Sequence, residues 1–191
     1  MRLFIGIATS PDSAILALLD ELARAEQSQP GIKAVPAENL HVTLRFLGEV
    51  REEKVQAIIA ALETALAHER SFDLQIGQPG SFANALWLQA SAPGLAGMAK
   101  RLDQALSTIG FEPERRPYRP HVTLARLQPI FLFDVLGWLE RHEQHEPYVL
   151  RVDQVHLYRS VPVPGGVRYE SVYTLDLAGP AVSQAAIRAA T

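Results

Sequence analysis

Along this chain the apolar residues switch repeatedly between a two-residue and a three-to-four-residue period, and each switch predicts a change between strand and helix. Arg2–Ala8 is a short apolar run with strand character, and Ser10-Pro11-Asp12 then reads as a helix start, followed by Ile15, Leu18, Leu19, Leu22 and Ala23 at helical spacing. A loop marked by Gln29-Pro30-Gly31 and Pro36 leads to a strand over residues 39–47, which Gly48 ends. Residues 52–68 form the next helix, with Val55, Ile58, Ile59, Leu62 and Leu66 on one stripe and Glu52 and Glu53 suitably placed at its start. Residues 72–76 return to strand alternation.

The order then begins again. Residues 86–90 are strand-like, and Leu95, Met98, Leu102, Ala105, Leu106 and Ile109 mark a helix stopped by Gly110. A strand over His121–Leu127, a helix over 132–142, an alternating run over 148–158 and a last strand over 169–177 complete the pattern. The two halves register as pseudo-repeats over 2–77 and 85–177, within a single bilobal domain spanning 1–191. The tail 180–191 is given no role. Two copies suit a pseudo-symmetric pair of lobes, not an open array of stacked repeats. No glycine-rich phosphate loop follows either opening strand, which argues against a doubly wound parallel sheet. Strands near 72 and 86, joined through Gln78-Pro79-Gly80, and those near 148 and 169 favour largely antiparallel pairing.

The most informative letters are a repeat within the repeat. HVTLRFLG starts at His41 and HVTLARLQ at His121, 80 residues later. In a strand, positions i and i+2 share a face, so His and Thr point one way while Val and Leu point the other. Each motif can anchor an apolar pair in its lobe and present an imidazole and a hydroxyl together on the opposite face. A pseudo-twofold axis would bring both pairs to one cleft. Two imidazoles there suit general acid-base chemistry, because an unperturbed His titrates near pH 6.5, where one can accept a proton while the other donates. The hydroxyls can hold the non-bridging oxygens of a phosphate. A single His-x-Thr is ordinarily a core or surface strand, and duplication of a purely structural strand would preserve apolar letters best. Here the polar letters recur as well.

Composition narrows the substrate. Forty-eight per cent hydrophobic residues are enough for a packed core, and 18 Lys and Arg against 21 Asp and Glu argue against a protein that coats long nucleic acids. Zero cysteines exclude thiolate metal sites and a Cys nucleophile, and fit a reducing cytoplasm. The apolar N-terminal stretch is broken by Pro11, Asp12 and Asp20, which argues against a signal peptide or a membrane span. Positive charge is instead local: Arg115, Arg116 and Arg119 precede the second motif in RRPYRPH, and Arg45 and Arg126 lie just inside the motif strands. Some of these five can grip phosphate through paired hydrogen bonds, while others fit an ordinary charged surface. His142 and His145 in RHEQHE have the spacing of a metal pair but read better as a solvated helix end.

The paired motifs, HVTLRFLG and YRPHVTLAR, resemble those of the two-histidine phosphoesterases, and most of all the RNA 2',3'-cyclic phosphodiesterases, also called 2'-5' RNA ligases. The resemblance implies an α+β bilobal fold with two pseudo-symmetric lobes, mainly antiparallel sheets and helices on the outside. It also implies an enzyme that hydrolyses a 2',3'-cyclic phosphate to a 2'-phosphomonoester. His41 would then be the proton donor to the departing 3'-oxygen and His121 the proton acceptor that activates water. Thr43 and Thr123 would hold phosphate oxygens, Arg119 and Arg126 would add positive charge, and Phe46 would stack on a base. Strict alternation from His41 puts Phe46 on the core face, so stacking requires a bulge or strand end, and the same count turns Arg126 away from the cleft. The near-symmetry of the repeat leaves acid and base unassigned by the residues themselves. The expected partners are RNA ends or small nucleotides bearing a 2',3'-cyclic phosphate, met by a cytoplasmic monomer without cofactor, metal or membrane. Reversible 2'-5' ligation, hydrolysis of small cyclic nucleotides and non-catalytic binding of RNA ends are the alternatives.

Overall fold

A computed structural model describes residues 1–130 and 132–178; the 180–191 tail lies outside them. Among the described residues, nine strands and four α-helices follow one another in the expected α+β order. The first half comprises β1 (Arg2–Ala8), α1 (Ser13–Ser28), β2 (Ile32–Ala34), β3 (His41–Glu49), α2 (Val55–Leu66) and β4 (Phe72–Phe82). The second comprises β5 (Ala85–Ser91), α3 (Leu95–Thr108), β6 (His121–Leu127), α4 (Val135–Arg141), β7 (Tyr148–Val152), β8 (Gln154–Val163) and β9 (Gly166–Asp176). Asp12 caps α1 by accepting a hydrogen bond from the Ile15 amide at 2.9 Å, a contact worth about 1 kcal/mol. Asp134 does the same for α4 from Gly137 at 3.0 Å, which is why that helix begins three residues later than its apolar pattern suggests.

The strands pair antiparallel in the order β7-β4-β5-β6-β3-β1-β8-β9, with β2 added to β6. The two motif strands, β3 and β6, meet at the centre through a single rung, Val42 opposite Val122. Each central pair is completed by a strand from the other half of the chain: β4 lies beside β5, and β8 beside β1. One face of the sheet supplies Leu3, Ile5, Ile7, Val42, Leu44, Leu86, Leu88, Val122 and Leu124 to a core shared with apolar faces of the helices, including Ile15, Leu22, Ile58, Leu62, Met98 and Leu102. Burial of such side chains contributes roughly 1.5–3 kcal/mol each. No helix among the described residues is long and apolar enough to cross a membrane.

Three local expectations are corrected. The run over 148–158 is two strands, because the chain leaves β7 at one end of the sheet and enters β8 toward the other with only Asp153 between them. The sheet must therefore curl until its ends approach each other. Gln78-Pro79-Gly80 is no turn: it lies inside β4, where the pairing with β5 slips between Gly77 and Pro79, and residues 83–84 form the tight connection. Proline is tolerated because β7 pairs only with Phe72–Ile76, leaving the outer side of β4 open at Pro79. Gly80 lets the Trp87 ring lie across the strand, since a Cβ there would fall 2.2 Å from it. β2, read as loop, is a three-residue strand too short to show a period.

Candidate active site

With Val42 opposite Val122 in an antiparallel ladder, His41 stands level with Thr123 and Thr43 level with His121. All four side chains share the sheet face away from the helical core. Each imidazole is fixed in the same way. His41 Nδ1 lies 2.7 Å from the Asn39 carbonyl and His121 Nδ1 2.7 Å from the Arg119 carbonyl, two residues earlier in both cases. Both rings therefore carry hydrogen on Nδ1, leaving Nε2 to face the cleft.

Aromatic side chains complete each cradle. Tyr169 of β9 meets His41 edge-on at 4.9 Å, and Phe82 of β4 meets His121 edge-on at 5.0 Å. The first strand of each half adds a tilted ring: Phe4 at 4.7 Å from His41, and Trp87 at 6.1 Å from His121. These four contacts come from elements distant in sequence, so no motif announces them. Gly6 of β1 is a further silent contributor: a Cβ there would lie 2.9 Å from the Val42 carbonyl and 3.6 Å from the His41 ring.

The alternation count for Phe46 and Arg126 is overturned by one device used twice. Pairing of β1 with β3 passes from Ile5–Arg45 to Gly6–Thr43, so Leu44 is an extra residue. Pairing of β5 with β6 passes from Leu86–Ala125 to Trp87–Thr123, so Leu124 is the extra residue there. A bulge resets which face later side chains take. Phe46, 52 % exposed, consequently lies beside Phe4 at 6.0 Å and borders the cleft with Thr43, Tyr118, Arg119 and His121. Arg126 borders it with His41 and Thr123. Both motifs carry a matching trace of it: Leu44 and Leu47, like Leu124 and Leu127, are buried three apart, whereas regular alternation would put the members of each pair on opposite faces. Arg45 turns to the helical face, where Asp103 of α3 holds its Nε at 2.8 Å, so its guanidinium is committed to structure.

The cleft has two flanks. Beside His41 is a cavity of about 650 Å³, roofed by the β8–β9 hairpin, whose tip is fastened by Lys33 Nζ donating to the Gly165 carbonyl and by Asn39 Nδ2 donating to Val167 O at 2.7 Å. Beside His121 is a cavity of about 540 Å³ between the β4–β5 turn and the 111–120 loop. Tyr118 ties that loop to β3 by donating to Thr43 O at 3.2 Å. Burial pushes the His41 pKa down to about 4, opposed by the Asn39 carbonyl and reinforced by the charge of Arg126. His121 is lowered too, by burial first and with Arg126 again contributing, while the Arg119 carbonyl works in the opposite direction. Both imidazoles are thus neutral at neutral pH in the free protein, and an arriving phosphate anion would raise both. His142 pairs with Glu21 at 2.8 Å at the α1–α4 contact, and no cluster of three metal-ligating side chains occurs among the described residues.

A curled antiparallel sheet presenting two His-x-Thr strands on one face, with helices on the other, defines a two-histidine phosphoesterase. The chain belongs to the 2'-5' RNA ligase superfamily, whose family model matches residues 11–162. It is 31 % identical over 182 residues to an RNA 2',3'-cyclic phosphodiesterase of Methanocaldococcus jannaschii, covering 90 % of this chain and 98 % of that one. An RNA 2',3'-cyclic phosphodiesterase of Archaeoglobus fulgidus is 31 % identical over 185 residues, covering 92 % of this chain and all of that one. Among solved structures, a Thermus thermophilus protein matches with a TM-score of 0.73 at 25 % identity, covering 94 % of this chain and 99 % of that one. Escherichia coli LigT complexed with 3'-AMP matches with a TM-score of 0.71 at 27 % identity, covering 92 % and 97 % respectively.

Proposed function

We propose that the protein hydrolyses 2',3'-cyclic phosphate at RNA ends to a 2'-phosphomonoester, with His41 as acid and His121 as base. The observation that carries this reading is the crossing of the two motif strands at Val42 and Val122, which sets two oriented imidazoles and two hydroxyls around one point. His121 Nε2 takes a proton from water as its oxygen bonds to phosphorus. The bond from phosphorus to the 3'-oxygen breaks, and His41 Nε2–H gives that oxygen a proton. The Nδ1 hydrogen bonds to Asn39 and Arg119 carbonyls favour the charged ring each time it forms. Thr43, Thr123 and Arg126 hold the non-bridging oxygens, Arg119 adds positive charge beside His121, and Phe46 offers a face to a base.

Cavities on both flanks favour a second reading at the same site: a 5'-hydroxyl RNA end replacing water, giving reversible 2'-5' joining. The test is incubation of a 2',3'-cyclic-ended RNA with chelator present, with separation of 2'- from 3'-phosphate product. A 2'-phosphate product abolished by either His→Ala change is expected. Binding without product by the intact protein would replace the reading with a non-catalytic RNA-end module.

A further inference from the structure

The two flanks differ in what their cations are doing. Beside His41, Lys33 is spent on the hairpin tip and Arg168 pairs with Glu170 at 2.6 Å, while Glu26 and Glu38 also border that cavity. Beside His121, the 111–120 loop carries cations on a fixed support. Arg45 donates to the Glu112 carbonyl, the Glu114 amide donates to Asp103 at 3.1 Å, and Tyr118 is tied to β3. Between these fastenings Arg116 lines the cavity, and Arg115 next to it is exposed just outside the lining, with no carboxylate partner among the described residues. Arg116 holds only Glu114, at 3.4 Å and in solvent, a pair that contributes little and is readily exchanged for phosphate. The exposed face of Phe46 opens toward the same rim.

Arg126, on the His41 side, is taken up by the reacting phosphate in the proposed mechanism, so the exposed positive charge left for the rest of a polyanion lies on the His121 side. Building on the activity proposed above, we infer that Arg115 and Arg116 hold the phosphate joining the terminal nucleotide to the one before it, so that the chain of the RNA leaves over the Phe46 rim. The protein therefore prefers a cyclic-ended oligonucleotide to a cyclic mononucleotide. The pair acts on length discrimination and lies outside the acid-base chemistry.

The test compares kcat/KM for a 2',3'-cyclic mononucleotide and for a trinucleotide ending in the same group. The proteins are wild type, Arg115→Ala/Arg116→Ala, the corresponding double Lys variant, and Lys100→Ala on exposed α3 as a charge control. The expected result is a wild-type preference for the trinucleotide that falls about fivefold in the double Ala variant through KM, with mononucleotide turnover within twofold of wild type. The double Lys variant keeps most of the preference and Lys100→Ala keeps all of it. The salt dependence of trinucleotide kcat/KM becomes shallower by about 0.7 for each phosphate that is no longer neutralised. Turnover of both substrates without a length preference, or a preference unchanged in the double Ala variant, overturns this inference alone. No turnover of either substrate by wild type overturns the activity and the inference together.

Discussion

His41 and His121 sit in cradles of the same design: a carbonyl two residues upstream, an edge-on aromatic from a hairpin of the opposite half, and a tilted aromatic from the half's first strand. Around those cradles the symmetry fails. A bulge in β3 delivers Phe46 to one end of the cleft and a bulge in β6 delivers Arg126 to the other; beside His41 the remaining cations, Lys33 and Arg168, are engaged, whereas Arg115 and Arg116 are exposed on the His121 side. What orients an imidazole is thus duplicated, while what contacts the remainder of a substrate is not. The site can be symmetric in proton transfer and directional in binding.

Removing either imidazole is expected to have the largest effect, with His41→Ala and His121→Ala each lowering kcat roughly 10²–10⁴-fold. A substrate with a nitrophenolate leaving group separates them: it needs no acid, so it restores much of the rate to the variant lacking the acid and little to the other. Restoration of His121→Ala instead of His41→Ala would exchange the assigned roles. At the bulge positions, Arg126→Ala should lower kcat/KM about 100-fold through weakened charge stabilisation, while Phe46→Ala should cost about tenfold, mostly in KM. Equal effects on kcat and KM in both variants would erase the contrast between the two ends.

Titration gives a third comparison. Burial, reinforced by Arg126, lowers both histidines, so kcat/KM, which reports the free enzyme, should be bell-shaped with its optimum below pH 6.5. In Arg126→Ala the residual profile should move to higher pH. The same burial affects stability. His41 has a folded-state pKa below its unfolded value, so the unfolded chain binds the proton first. Its contribution to stability is fully present above pH 6.5 and is lost as pH falls toward 4, by on the order of 3 kcal/mol. Urea midpoints at pH 7.5 and 5 should differ less in His41→Gln than in wild type. The smallest effect is expected at Gly6→Ala, where a methyl pressed against the Val42 carbonyl should cost about 1–3 kcal/mol and disturb His41 more than His121. NMR shifts of the two imidazoles would register that difference.

The sequence made the helices, the central strands and the His/Thr pairs legible because each rests on a local period or a repeated word. It hid what depends on pairing partners. Regular alternation through Leu44 and Leu124 turns Phe46 and Arg126 away from the cleft, and only the pairing with β1 and β5 reveals the bulges that return them to it. The split at Asp153 was hidden because β7 and β8 both alternate, and alternation does not say which neighbour a strand takes. Proline and glycine in β4 imitated a turn because the local rule knows nothing of the open strand side or of the Trp87 ring that needs the space. Tyr169, Phe82 and Phe4 looked like ordinary strand aromatics, since only the folded sheet brings them to the imidazoles.

The exchange of β4 and β8 between the halves bears on divisibility. A cut at residues 83–84 yields one piece whose β1 has lost its outer neighbour and another whose β5 has lost its own. Neither piece has a closed set of hydrogen-bonding edges, so each should remain unfolded or aggregate when expressed alone. Together they should reassemble into an active heterodimer, with each half-site contributed by a separate polypeptide and completed by the other's strand.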